Sequence, residues 1–163
     1  MRWAAPRKAG ASKRTSALKH SVTVKFHGKK SVTVKMTDEG LDQYNTAEWL
    51  RLHRIKFIHI PNERKSSPQE GLMLKLLGLE PGASDLLIFT PPPRFPNAPG
   101  VAMEMKAKAR QKQDGTARAG VVSEEQTAWL ASMEALGWVT RVAFGVDDAI
   151  KFLAWLGYGA RRN

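Results

Sequence analysis

The chain of 163 residues is long enough for one domain with a modest extension, and its 42% of hydrophobic residues supplies a core, which sets it apart from intrinsically disordered chains. It holds no cysteine, which excludes disulfides and thiolate metal sites, and no apolar run reaches the roughly 18 residues of a membrane helix; with no apolar stretch behind the basic N-terminus to form a secretory signal, a cytoplasmic protein without membrane association is expected. The net charge of +11 is unevenly spread, because residues 1–35 carry ten Lys or Arg and no acidic residue while 36–163 are almost neutral: a basic arm on a near-neutral domain, able to attract phosphate polyanions by counterion release.

Residues 1–20 are rich in Ala, Lys, Arg and Ser without periodicity and read as a flexible arm. The motif S-V-T-V-K then occurs twice, at 21–25 and 31–35, each copy alternating apolar and polar residues as a strand does. The intervening F-H-G-K-K suits a hairpin loop, so 21–36 is a β-hairpin extension with Val22, Val24, Val32, Val34 and Met36 on one face. An isolated hairpin is marginal in water, so the valine face should pack on the domain or on another subunit.

The domain proper is expected over 38–157. A helix is read over 39–53, with Leu41, Trp49, Leu50 and His53 in helical spacing. A strand at 55–60 stops at Pro61, a short helix at 71–78 ends at Gly78, and a buried strand runs over 85–89. T-P-P-P-R-F-P-N-A-P-G at 90–100 can only be a loop, and V-A-M-E-M-K at 101–106 is a further strand. Residues 107–121 read as a mobile basic loop. A helix over 123–136 has Trp129, Leu130, Met133 and Leu136 on one side, a strand covers 138–144, and Asp147 caps a last helix reaching about Leu156. Residues 158–163 are a basic tail. The order α-β-α-β-β-α-β-α describes an α/β domain whose mixed sheet is flanked by helices, and Trp49, Trp129, Trp138 and Trp155 fall in core positions.

Side chains alternate along a strand, so Glu104 and Lys106 share one face of 101–106. Buried Glu and Lys are rare unless paired or bound to a metal. Asp85 opens the preceding strand and can meet Glu104 if the two strands are neighbours. Two carboxylates and a lysine suit a Mg2+ site: the carboxylates are hard oxygen ligands, the ion acidifies bound water and offsets charge on a phosphate, and the lysine orients or deprotonates that water. E-x-K on a strand is also a common solvent-facing ion pair.

Here the sequence resembles the PD-(D/E)xK nucleases, and more closely their virus-type replication–repair (VRR-NUC) branch. G-A-S-D-L-L-I at 82–88, M-E-M-K at 103–106, S-E-E-Q at 123–126, H-I-P-N at 59–62 and D-Q-Y-N-T-A-E-W at 42–49 are similar to its ordered motifs. Together they run from about Asp38 to Leu156. The resemblance implies a restriction-endonuclease-like fold and a Mg2+-dependent endodeoxyribonuclease, with Mn2+ able to substitute. It implies Asp85 and Glu104 as metal ligands with the Met105 main-chain carbonyl, Lys106 as catalytic lysine, and Gln126 as a support from the following helix. Asp42 stands where the branch has Glu, and Ser84 where the superfamily has Pro. Ser123 and Gln126 also fit a capping box, and Asp42 also suits a helix dipole. Stand-alone members of this branch imply a structure-directed enzyme of bacterial viruses or mobile elements, acting on branched DNA such as Holliday junctions or flaps as a homodimer.

Contacts to DNA phosphates are expected from Asn62, Arg64 and Lys65 after the first domain strand, from Lys108, Arg110 and Lys112 after the catalytic strand, and from Lys25, Lys29, Lys30 and Lys35 in the hairpin. Asn62 also suits a turn. The four histidines lack metal-ligand spacing, and the absence of a P-loop argues against a nucleotide cofactor. The alternatives are a non-catalytic nucleic-acid-binding module using the basic arm, and an assembly protein in which Glu104 and Lys106 form a mere surface pair.

Overall fold

The computed structural model describes residues 20–26, 30–61, 67–111 and 117–160; the arm, the positions 27–29, 62–66 and 112–116, and the last three residues lie outside them. The S-V-T-V-K repeat pairs with its own copy. Strands β1 (His20–Phe26) and β2 (Lys30–Met36) are antiparallel, with Val22 opposite Val34, Val24 opposite Val32, and the Thr23 and Thr33 hydroxyls 2.8 Å apart. Phe26 pairs with Lys30, so the hairpin connection is shorter than the five residues read from sequence. Val32 and Val34 stay 50% and 45% exposed, so the domain does not cover this face.

Helix α1 (Asp38–Leu52) starts because the Thr37 side chain accepts from the Gly40 amide, and Asp38 and Glu39 complement the dipole of its first turn. It buries Thr46, Ala47 and Leu50. Strand β3 (Phe57–His59) follows, then α2 (Pro68–Leu76), capped by Ser67 with a proline in its first turn. None of the residues of α2 is buried, and Leu72, Met73, Leu76 and the adjoining Leu77 face solvent. Strand β4 (Leu86–Ile88) leads through the proline loop to β5 (Val101–Lys106), every residue of which is buried.

Beyond β5 lies a difference from the expected loop: β6 (Arg110–Gln111) and β7 (Ala117–Arg118) pair as a small ribbon. Helix α3 (Glu124–Ala135), β8 (Val139–Phe144) and α4 (Val146–Trp155) complete the chain. The sheet order is β3-β4-β5-β8, antiparallel at the first two pairings and parallel between β5 and β8, with α3 in the crossover that a parallel pair requires. This is the mixed sheet flanked by helices that the element order implied.

Alternation along β5 divides the molecule. Val101, Met103 and Met105 join Leu50 of α1 and Ala149 and Leu153 of α4 in the main core, whereas Ala102, Glu104 and Lys106 face the α3 side. Three details differ from the sequence reading. Gly145, not Asp147, is the N-cap of α4; Asp148 instead bonds the Phe144 amide at 2.9 Å, and Asp147 lies in the first turn. Trp155 is 48% exposed because it ends α4 beside the proline loop, where Arg94 stacks over it at 4.5 Å. Leu136 is exposed as the C-cap of α3. Among the described residues no helix is long and apolar enough to cross a membrane.

Candidate active site

The ladder pairs Leu86 with Met103, so one step beyond it Asp85 stands opposite Glu104, and opposed residues of an antiparallel pair share a face. Asp85 Oδ2 accepts from the Met105 amide at 2.8 Å, taking the place of a ladder bond just where β4 begins. On an extended strand the carbonyl of that residue points to the same side as its amide, so the Met105 carbonyl faces the Asp85 edge of β5.

Glu104 and Lys106, 1% and 7% exposed, form an ion pair of 2.8 Å. Burial, reinforced by the Asp85 charge and opposed by the hydrogen bond and charge of Lys106, pushes the Glu104 carboxyl from 4.5 up to about 7. Burial works against the Lys106 ammonium, but the hydrogen bond and charge of Glu104, with the charges of Glu39 and Asp85, outweigh it and hold the lysine above its ordinary 10.5. Glu104 Oε1 takes the Lys106 bond, whereas Oε2 is buried with no hydrogen-bond partner among the described residues. An orphaned anionic oxygen beside a second carboxylate and a main-chain carbonyl has the chemistry of a divalent-cation site, so these residues fit the ion that the sequence resemblance implies. Among the described residues no group of three or more His, Asp or Glu is placed to hold a metal ion.

Gln126 does two things at once. Its Oε1 accepts from the Ser123 amide at 3.0 Å while the Ser123 hydroxyl accepts from the Gln126 amide, the complete capping box. Its Nε2 donates to Glu104 Oε1. The cap therefore aims the carboxamide at the site. Gly82, at φ +78°, holds that helix end close: a Cβ there would lie 2.4 Å from Glu125 main-chain atoms and 2.7 Å from the Gln126 nitrogen. Gly120 lies against the Lys106 stem, where a Cβ would meet the lysine Cβ and Cδ at 3.1 Å. The G-A-S-D motif carried a signal for Gly82; nothing local marked Gly120.

Asp42 lines a separate hollow of about 240 Å³ with Asp38, Lys108, Gly145 and Asp147. On α1 it is the charge of Glu39 that acts on Lys106, a residue the sequence reading passed over. Lys108 is exposed, 4.0 Å from Asp147, and Lys35 is exposed on the hairpin. Asn62, Arg64, Lys65, Lys112 and Lys29 lie outside the described residues; for Lys25, Lys30 and Arg110 the strand positions are described but not the side chains. His59 and Gln43, singled out for no role by the sequence, meet beside Asp85.

Neither a family model nor a curated protein matches the chain. A solved structure described as a "VRR_NUC domain protein" is similar to it with a TM-score of 0.54 and 19% identity, over 76% of this chain and 90% of that one. At that identity the likeness speaks for the fold alone: this chain shares with that structure a mixed sheet flanked by helices.

Proposed function

We propose that this chain is a divalent-metal-dependent DNA endonuclease with Asp85, Glu104 and Lys106 as its centre. The observation that carries the reading is the buried Glu104–Lys106 pair with an orphaned Glu104 oxygen opposite Asp85. Asp85, Glu104 and the Met105 carbonyl would hold Mg2+ or Mn2+, which when bound makes water more acidic and offsets charge on the scissile phosphate. Lys106 orients or deprotonates the attacking water and stabilises the phosphate oxygens where charge develops. Gln126 fixes the Glu104 carboxylate. The water oxygen bonds to phosphorus, the P–O3′ bond breaks, and the products are a 5′-phosphate and a 3′-hydroxyl, one proton leaving the water and one reaching the 3′ oxygen.

We further propose branched DNA as the substrate, in bacteriophage or mobile-element DNA processing, and a two-fold homodimer whose interface includes the exposed hairpin valines. The test is cleavage of end-labelled four-way junction, flap and linear duplex with Mg2+, Mn2+ or EDTA by the wild type, Asp85→Ala and Lys106→Ala. Metal-dependent cutting lost in both variants, with preference for a branched substrate, is expected. Failure to cut any substrate, with salt-sensitive binding intact, would assign the chain to non-catalytic nucleic-acid binders. A monomer by light scattering, with and without DNA, would remove the dimer.

A further inference from the structure

Asp85 precedes β4 and lies beyond the last paired position of the β4–β5 ladder, so that pairing does not hold its main chain. Strand β3 holds it instead. The Asp85 carbonyl oxygen accepts from the Ile60 amide at 2.9 Å and lies 2.9 Å from His59 Nδ1. A carbonyl can only accept, so Nδ1 carries the proton and donates it. The Gln43 side chain, reaching down from α1, places its amide nitrogen Nε2 at the same ring nitrogen; with Nδ1 donating to Asp85, exchange of the amide O and N gives that proton Gln43 Oε1 as its second acceptor. One imidazole thus ties three segments together: the first helix, the edge strand and the residue carrying a proposed metal ligand. Its neighbours in the ladder explain the reach: His59 pairs with Leu86, the residue directly after Asp85.

We infer that His59, steadied by Gln43, is a positioning residue that fixes the Asp85 main chain so that the carboxylate meets Glu104 across β5. The inference rests on the function proposed above. Its physical basis is tolerance: ligands for a hard cation must be held within about 0.5 Å, and Asp85 lies one residue outside the β4–β5 ladder. Two donors on one carbonyl restrict the peptide plane, and with it the direction of the Asp85 side chain, whose Oδ2 is already drawn to the Met105 amide. Partners that orient a ligand residue from outside the ligand atoms alter metal affinity by about 10- to 100-fold when lost; His59 does so through the main chain of Asp85.

The experiment titrates Mn2+ calorimetrically into metal-free full-length protein without DNA, for the wild type, His59→Ala, His59→Asn and Gln43→Ala. It is paired with single-turnover cleavage and with DNA binding in EDTA. His59→Ala should weaken Mn2+ binding and slow cleavage, each by about 10- to 100-fold, and leave DNA affinity in EDTA unchanged. His59→Asn, whose side-chain amide can donate from nearly the Nδ1 position, should recover part of both, and Gln43→Ala should lose less than His59→Ala. Wild-type Mn2+ affinity in His59→Ala overturns the inference; so does a defect confined to DNA binding, which would make His59 a DNA contact. If thermal melting shows that His59→Ala does not fold, an Asn variant indistinguishable from Gln43→Ala in Mn2+ affinity, or weaker, overturns it as well. A wild type that takes up no Mn2+ overturns the proposed function, and this inference with it.

Discussion

Replacing Glu104 with Gln should flatten the pH dependence of stability of the metal-free protein. The Glu104 carboxyl titrates at about 7 in the folded chain against 4.5 in an unperturbed one, chiefly because it is buried. Below pH 4.5 both states hold the proton and the group contributes no slope. Between 4.5 and about 7 the folded chain keeps a proton that the unfolded chain has released, so stability falls as pH rises; above 7 both are ionised and the slope vanishes again. At 1.36 kcal/mol per pH unit, that gap corresponds to a loss of about 3 kcal/mol. For a domain of this size the loss amounts to roughly 6–12 °C in Tm. The glutamine brings its own constant offset, because its amide meets the pocket of the orphaned oxygen, so the quantity to read is the slope. Urea denaturation in EDTA at half-unit steps from pH 4.5 to 8.5 measures it. The wild type should lose about 3 kcal/mol more than the variant across that range, and Mn2+ at pH 8 should restore the wild type alone. Parallel stability curves for the two proteins would refute the buried-carboxyl reasoning.

Gly82→Ala should reduce cleavage while leaving DNA affinity in EDTA intact, because a methyl group 2.4 Å from the Glu125 main chain at a positive φ must push the start of α3, and with it Gln126, off Glu104; unchanged single-turnover rates would count against that geometry. Ser123→Ala removes only the cap and should cost about 1 kcal/mol of stability with a modest effect on rate, whereas Gln126→Ala should cost both stability and rate, a contrast that melting and cleavage together resolve. Ser84→Ala should leave stability unchanged or raise it by up to about 1 kcal/mol, since its hydroxyl is fully buried without a partner among the described residues; a clear loss in urea denaturation would reveal a partner for that hydroxyl.

The alternation of V-A-M-E-M-K was enough to place Glu104 and Lys106 on one face, because a strand permits only two directions for a side chain. Asp85 could be set opposite Glu104 once two successive strands were assumed to pair. Gln126 was read both as a cap and as a support for the site, and in the structure the two ends of its carboxamide bond the Ser123 amide and Glu104. What stayed hidden depends on contacts far apart in the chain. His59 meets Gln43 sixteen residues away and Asp85 twenty-six residues away, and no local period encodes such meetings. Glu39 and Asp42 are three apart on one helix, and only the packing of α1 decides which carboxylate's field reaches Lys106. The two-residue strands β6 and β7 are too short to show any period, and the apolar run of α2 gives no sign that Leu72, Met73 and Leu76 face water.

Those leucines have a practical side. Leu72, Met73, Leu76 and Leu77 on and beside α2 amount to adhesive surface on a molecule of charge +11. In dilute buffer, mutual repulsion between like-charged molecules keeps such patches from meeting. At 1 M salt the screening length shrinks to about 3 Å, and the same salting step that frees a basic protein from nucleic acid removes its colloidal protection. Clean preparations should therefore turn cloudy when concentrated at high ionic strength and clear again on dilution into low salt.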